Sequence, residues 1–142
     1  IGAGRVAGLV VLGANPVRCG ITEDLLARLE LLVVIDVLPN PATAVADYLL
    51  PGATWAEKRG SYINGKGRLQ RFSMAVPPRG EALPDWQILA WLLHALLPEA
   101  RYATLEEVFA QMAATLPALA VLSLGRIGDQ GTQLEPTLIP AA

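Results

Sequence analysis

The sequence predicts an α/β fold: a Rossmann-like three-layer module with a short parallel sheet, a β-hairpin insertion and C-terminal helices. Two observations lead to this prediction. Short apolar runs alternate with helix signals near the start of the chain, which is typical of parallel βαβ units. An Asn-Gly turn between two β-prone segments then indicates a hairpin, and the segments that follow it have the apolar periodicity of helices.

Three short apolar runs are predicted to form the parallel sheet. Val6–Leu12 is the first strand, and Leu31–Ile35, which ends at Asp36, is the second. Between them Thr22 is a suitable N-cap for a helix. Tyr48–Leu50 is the third strand. This order favours right-handed crossovers between neighbouring parallel strands.

The middle of the chain is predicted to form a hairpin over Ser61–Phe72. Its turn, Asn64-Gly65-Lys66-Gly67, contains the residue types that adopt positive φ angles. We expect positive φ at Asn64 and Gly65, with Gly67 as a further candidate.

Helices are predicted after the hairpin. One begins at Asp85 and ends before Pro98, and a second follows the capping box Thr104–Glu107. We predict an α/β module over residues 1–125 and an irregular C-terminal extension over residues 126–142.

Composition excludes several classes of protein. Apolar residues make up 53% of the chain, charged residues 17%, and the formal net charge is −2. Intrinsic disorder and a nucleic-acid-binding arm are therefore not expected. The longest uncharged run is interrupted by Pro117, so we expect no membrane insertion. The high apolar content and the start at Ile1 lead us to expect a piece of a larger chain.

The chain has one cysteine, Cys19, and one histidine, His94. An iron–sulfur cluster usually needs four thiolates, so no metal or cluster site is expected within this segment. A single thiol is typical of a reducing compartment.

Asn15 and Asp36 are the polar residues of greatest interest. Both follow predicted parallel strands, and open α/β sheets bind ligands at the carboxyl ends of their strands. Asp36 could accept hydrogen bonds from a ribose or from a guanine edge. The alternative is a loop acid that caps the amides of Asn40 or Thr43.

The stretch after the first strand resembles the molybdopterin oxidoreductase family. The resemblance extends over roughly residues 9–97. Four blocks carry it: Leu12–Pro16, the strand that ends in Asp36, Thr43–Lys58 and Gly60–Arg71. Within the family, the Gly-Arg-Leu-Gln-Arg-Phe ending of the hairpin and Trp86 in a helix are most similar to the molybdoenzyme-like subunit of bacterial NADH–quinone oxidoreductase (complex I).

This resemblance implies a structural or assembly segment in the peripheral arm of a complex that passes electrons from NADH to quinone. It implies no catalytic residue and no redox centre in the segment, with iron–sulfur clusters elsewhere in the parent subunit. The expected partners are the remainder of that subunit and other peripheral-arm subunits. The expected location is the cytoplasmic side of the bacterial inner membrane.

The alternative implied by the family is an active molybdopterin oxidoreductase of formate-dehydrogenase type. This segment would then bind the molybdopterin guanine dinucleotide. Its groove residues would be Asn15, Asp36, Asn64 and Arg68. Of these, Arg68 could bind a phosphate group through two hydrogen bonds from its guanidinium. The alternative for Arg68 is an ion pair with Glu57 or Asp47. The hairpin departs from the family pattern at Lys66, where an acid is usual.

Overall fold

In the computed structural model, which describes residues 1–135, the chain forms two three-stranded sheets. The first sheet is parallel, and its three strands lie side by side in the order in which they occur along the chain. Its strands are β1 (Gly8–Leu12), β2 (Leu31–Asp36) and β3 (Tyr48–Pro51). The predicted mixed α/β fold with a short parallel sheet is confirmed.

One face of the parallel sheet packs on two short helices. Strand β2 has a continuous apolar run, and all four residues Leu32–Ile35 are buried. Helix α1 (Glu23–Leu26) begins at the Thr22 cap but is only one turn long, and α2 (Pro41–Ala44) is equally short. Leu26 and Ala42 pack with this face of the sheet in one apolar cluster.

The opposite face of the sheet is partly open at its first strand. The side chains of Val10 and Leu12 are 52% and 43% exposed, and Tyr48 on β3 is exposed as well. Alternate strand residues point to opposite faces, so these three side chains share one face with the buried Val33 and Ile35.

The second sheet is antiparallel and contains the predicted hairpin. Its strands are β4 (Gly60–Ile63), β5 (Arg68–Phe72) and β6 (Thr132–Gln133), with β5 in the centre. Strand β6 lies within residues 126–142, which were predicted to be irregular. The prediction is therefore wrong at Thr132 and Gln133. Ile127 and Leu134 are buried beside it in an apolar cluster that also contains Leu69 and Phe109. The end of the predicted extension, residues 136–142, lies outside the described residues.

Two longer helices follow the hairpin in the chain. Helix α3 (Asp85–Leu96) ends before Pro98, and α4 (Leu105–Thr115) has the predicted capping box between Thr104 and Glu107. The sequence spacing predicts an apolar stripe on α3 that consists of Trp86, Leu89, Ala90, Leu93 and Leu97. The buried residues of the helix are Ile88 and Ala90, and only Ala90 belongs to this stripe. The stripe, except Leu97, lines an apolar groove of about 260 Å³ shared with α4. No helix within residues 1–135 has the length and apolarity needed to cross a membrane.

The hairpin turn differs from the prediction in its backbone angles. No non-glycine residue among the described residues has a positive φ, and Gly65 is not among the glycines that do. The left-handed position is Gly67, at φ +76°. The Asn64 Oδ1 atom accepts hydrogen bonds from the Lys66 and Arg68 amides at 2.9 and 3.1 Å. These bonds support the first part of the turn without a positive φ.

We predict that Gly67→Ala lowers the free energy of unfolding by about 1–2 kcal/mol, because a Cβ is strained in the left-handed region. Gly65→Ala is the matched control in the same turn, since a Cβ at Gly65 would meet no atom of the described residues within 4 Å. Urea unfolding of both variants checks this. Equal destabilisation by the two substitutions would contradict the assignment of the turn.

Candidate functional site

The carboxyl edge of the parallel sheet brings two predicted site residues to the same end of the fold. The backbone amide of Gly13 donates to the Ile35 carbonyl at 2.9 Å, so the loop after β1 begins beside the end of β2. Asn15 lies in that loop, and Asp36 is the last residue of β2. The structure therefore places both residues at the strand ends where open α/β sheets bind ligands.

The Asp36 carboxylate is engaged by its own loop. Its Oδ1 atom accepts hydrogen bonds from the amides of Val37 at 2.7 Å and Leu38 at 3.4 Å. Its Oδ2 atom accepts one from the side-chain amide of Asn40 at 2.8 Å. Asp36 therefore caps loop amides, as the alternative states, but the backbone amides are those of Val37 and Leu38 and not those of Asn40 or Thr43. From Asn40 it accepts the side-chain amide.

Asn15 caps the short 3-10 helix Pro16–Cys19. Its Oδ1 atom accepts a hydrogen bond from the Val17 amide at 3.1 Å. Within residues 1–135 no hydrogen bond uses the Asn15 Nδ2 atom. This amide nitrogen can therefore donate to a ligand at the sheet edge without disturbing the cap.

A lysine lies near the same edge, and its position was not predicted from the sequence. Lys58 donates from Nζ to the Asp85 carboxylate at 2.5 Å. Asp85 begins α3, and its Oδ1 atom lies 3.0 Å from the position of a Cβ added to Gly52. The Gly52 amide in turn donates to the Asp36 carbonyl at 3.0 Å. The sequence carries no local signal for this ion pair, because its partners are 27 positions apart.

The hairpin holds the other two predicted residues together. The Asn64 side chain accepts from the Arg68 amide, and the Arg68 guanidinium donates to the Gln130 carbonyl at 3.2 Å. The predicted alternative of an ion pair from Arg68 to Glu57 or Asp47 is wrong. Asp47 instead accepts from the Leu32 amide at 2.6 Å, and Glu57 accepts from the Thr54 amide at 2.9 Å.

The structure thus brings the four predicted residues together as two pairs. Asn15 and Asp36 share the sheet edge, and Asn64 and Arg68 share the hairpin. Within residues 1–135 no hydrogen bond or ion pair joins one pair to the other. Their chemistry fits a guanine dinucleotide in kind: a carboxylate can accept from the guanine edge, and a guanidinium with remaining N–H groups can donate to a diphosphate.

An ion pair links Arg59, the residue before β4, to α4. The Arg59 guanidinium binds the Glu106 carboxylate through two hydrogen bonds of 2.6 and 2.8 Å. These bonds lower the pKa of Glu106 and raise the pKa of Arg59. The pair's contribution is therefore present above the usual pKa of a glutamate and is lost as the pH falls through the lowered value. Both side chains are half exposed, so the pair is solvent-screened.

The described residues contain no group of three or more histidine, cysteine, aspartate or glutamate side chains placed to hold a metal ion. Cys19 is exposed in the 3-10 helix after β1. His94 is half-buried on α3, and its Nδ1 atom is buried with no hydrogen-bond partner among residues 1–135.

Comparison with known proteins identifies the class to which this fold and edge belong. The molybdopterin oxidoreductase family matches residues 3–95. The chain belongs to this family.

Three curated relatives illustrate the range of the match. The chain is 35% identical over 133 residues to the F420-dependent formate dehydrogenase 1 subunit alpha of Methanococcus maripaludis, covering 89% of this chain and 20% of the relative. It is 37% identical over 129 residues to the NADPH-Fe(3+) oxidoreductase subunit alpha of Geobacter sulfurreducens, covering 88% and 15%. It is 42% identical over 91 residues to the nitrate reductase of Symbiobacterium thermophilum, covering 62% and 12%. The chain therefore spans about a fifth or less of these relatives.

We predict that Asn64→Ala lowers the free energy of unfolding by about 1–2 kcal/mol, because two turn amides lose their shared acceptor. Asn64→Asp is the matched control, since its carboxylate still accepts from both amides and should leave stability nearly unchanged. Urea unfolding measures both. A loss of equal size in Asn64→Asp would show that the side-chain NH₂ group, and not the oxygen, supports the turn.

Proposed function

We propose that this chain is the guanine-dinucleotide-binding part of an active molybdopterin oxidoreductase of formate-dehydrogenase type. The observation that carries the proposal is the Asp36 carboxylate at the end of the central strand, whose Oδ2 atom accepts only one hydrogen bond within the described residues. A carboxylate oxygen accepts about two, so this atom retains capacity for a ligand donor. The similarity to formate dehydrogenase alpha subunits supports the same interpretation.

Three of the four candidate residues have a binding role in this proposal, and Asn64 supports the hairpin turn next to Arg68. Asp36 accepts from the N1–H and 2-amino groups of guanine. Arg68 retains guanidinium N–H groups beyond the one that binds the Gln130 carbonyl, and these pair with the diphosphate. The Asn15 Nδ2 group, which makes no hydrogen bond within residues 1–135, donates to the sugar or diphosphate. The bound cofactor supplies a molybdenum or tungsten centre for two-electron chemistry, while this chain only binds and orients it.

The molybdoenzyme-like subunit of complex I is the other candidate, with a peripheral-arm location and no cofactor in the groove. The relatives above are formate dehydrogenase, NADPH-Fe(3+) oxidoreductase and nitrate reductase, and they favour the first proposal. Both candidates share one expectation about partners. The exposed apolar side chains of Val10, Leu12 and Tyr48 pack against the rest of a longer polypeptide.

The proposal predicts a guanine nucleotide in the full-length enzyme. After acid denaturation, the protein should release guanine nucleotide and molybdenum or tungsten in stoichiometric amounts. Asp36→Ala should lower the guanine content about tenfold or more, because hydrogen bonds to a charged group are worth about 1.5–3 kcal/mol. Nucleotide chromatography and metal analysis measure both quantities.

The control is Glu99→Ala, an exposed position beyond α3, which should retain full cofactor content. A full-length protein with intact iron–sulfur clusters but neither molybdenum nor tungsten would overturn the proposal and favour the complex I assignment.

A further inference from the structure

The hydrogen bonds of Asp36 leave its two oxygens unequally occupied. The Oδ1 atom accepts two backbone amides, but the contact from Leu38 is long, at 3.4 Å. The Oδ2 atom accepts only the Asn40 side-chain amide, at 2.8 Å, within the described residues. A second donor can therefore bind Oδ2 directly, and another can reach Oδ1 by replacing the weak Leu38 contact. The carboxylate can offer one acceptor position on each oxygen to a ligand.

Asn40 is itself fixed on the side away from Asp36. Its Oδ1 atom accepts from the Ala42 amide at 2.9 Å and so caps α2. Its backbone amide donates to the Thr43 hydroxyl at 3.2 Å. Prolines precede and follow it in the chain, which restricts the backbone on both sides. A flipped amide would lose the cap and bring an oxygen against the carboxylate, so this network sets the amide orientation.

We propose that Asn40 is a positioning residue that orients the Asp36 carboxylate and thereby sets the preference for guanine over purines without a 2-amino group. This inference rests on the proposed function. Guanine presents two adjacent donors, N1–H and the 2-amino group, and needs both carboxylate oxygens in one orientation. Hypoxanthine presents only N1–H and is satisfied by one oxygen. A carboxylate that is free to rotate would therefore retain the single hydrogen bond from hypoxanthine more readily than the two hydrogen bonds from guanine.

The test uses GDP and IDP as probes, because their bases differ only by the 2-amino group. Calorimetric titration of the full-length protein, freed of bound nucleotide, should show GDP binding at least about tenfold tighter than IDP. In Asn40→Asp the α2 cap is retained, since Asp and Asn cap helices equally well. The donor to Asp36 is replaced by a second negative charge. We expect GDP affinity to fall about tenfold or more and the GDP-to-IDP ratio to approach one.

Two further variants separate orientation from charge and from folding. Asn40→Ser keeps a capping hydroxyl but has no amide to donate to Asp36, so it should reduce the ratio without adding a charge. Gln111→Glu adds the same negative charge at an exposed position on α4 and should leave both affinities unchanged. The urea midpoint of each variant reports on folding.

The outcomes distinguish this inference from the proposed function. If the unmodified full-length protein, freed of bound nucleotide, does not bind GDP, the proposed function fails and the inference fails with it. If the chain prefers GDP but both Asn40 variants keep the same GDP-to-IDP ratio, the inference alone is overturned. A purely structural role of Asn40 would weaken both nucleotides equally and leave that ratio intact.

Discussion

Strand β2 can lie in the centre of the parallel sheet because both of its edges are paired and both of its faces are covered. Leu32–Ile35 are buried without interruption, and the strand pairs with β1 on one side and β3 on the other. Its final residue is the ionisable Asp36, whose carbonyl accepts the Gly52 amide. The Ile35 carbonyl likewise accepts the Gly13 amide, so the loops after β1 and β3 both begin beside the end of β2. The position of every candidate residue at this edge depends on that pairing.

The parts of the fold that the sequence predicts well are those determined by local residues. Apolar runs indicate the strands, and Thr22 indicates the start of a helix. The Thr104–Glu107 capping box indicates α4 because its two partners are three positions apart. Features that depend on distant residues were not predictable in this way. The pairing of β6 with β5 and the Lys58–Asp85 ion pair join segments that have no common pattern. In the hairpin turn the predicted positive φ at Asn64 and Gly65 is wrong, and the further candidate Gly67 has it. The double acceptor role of Asn64 removes the need for a positive φ at Gly65.

The candidate site shows the same division. The positions of Asn15 and Asp36 follow from the rule that parallel strands end at one edge, and the sequence is sufficient to apply it. The hydrogen-bond partners of each side chain could not be predicted by this rule. Asp36 accepts from Asn40 only because a turn between two prolines brings the amide back to the strand end. Family membership was predictable from four ordered blocks, but these blocks are shared across the family. They could not distinguish a complex I subunit from the formate dehydrogenase type that the relatives favour.

The docking of residues 132–134 on the hairpin also has a consequence for the order of folding. The Leu134 amide donates to the Gly67 carbonyl, and the Gln133 side chain donates to the Lys66 carbonyl across 67 positions. Contacts between distant positions require closure of a long loop and form slowly. During synthesis the parallel sheet can assemble while the antiparallel sheet still lacks its third strand, β6. Leu69 and Phe109 therefore remain without part of their apolar cover until the ribosome has released Ile127 and Leu134.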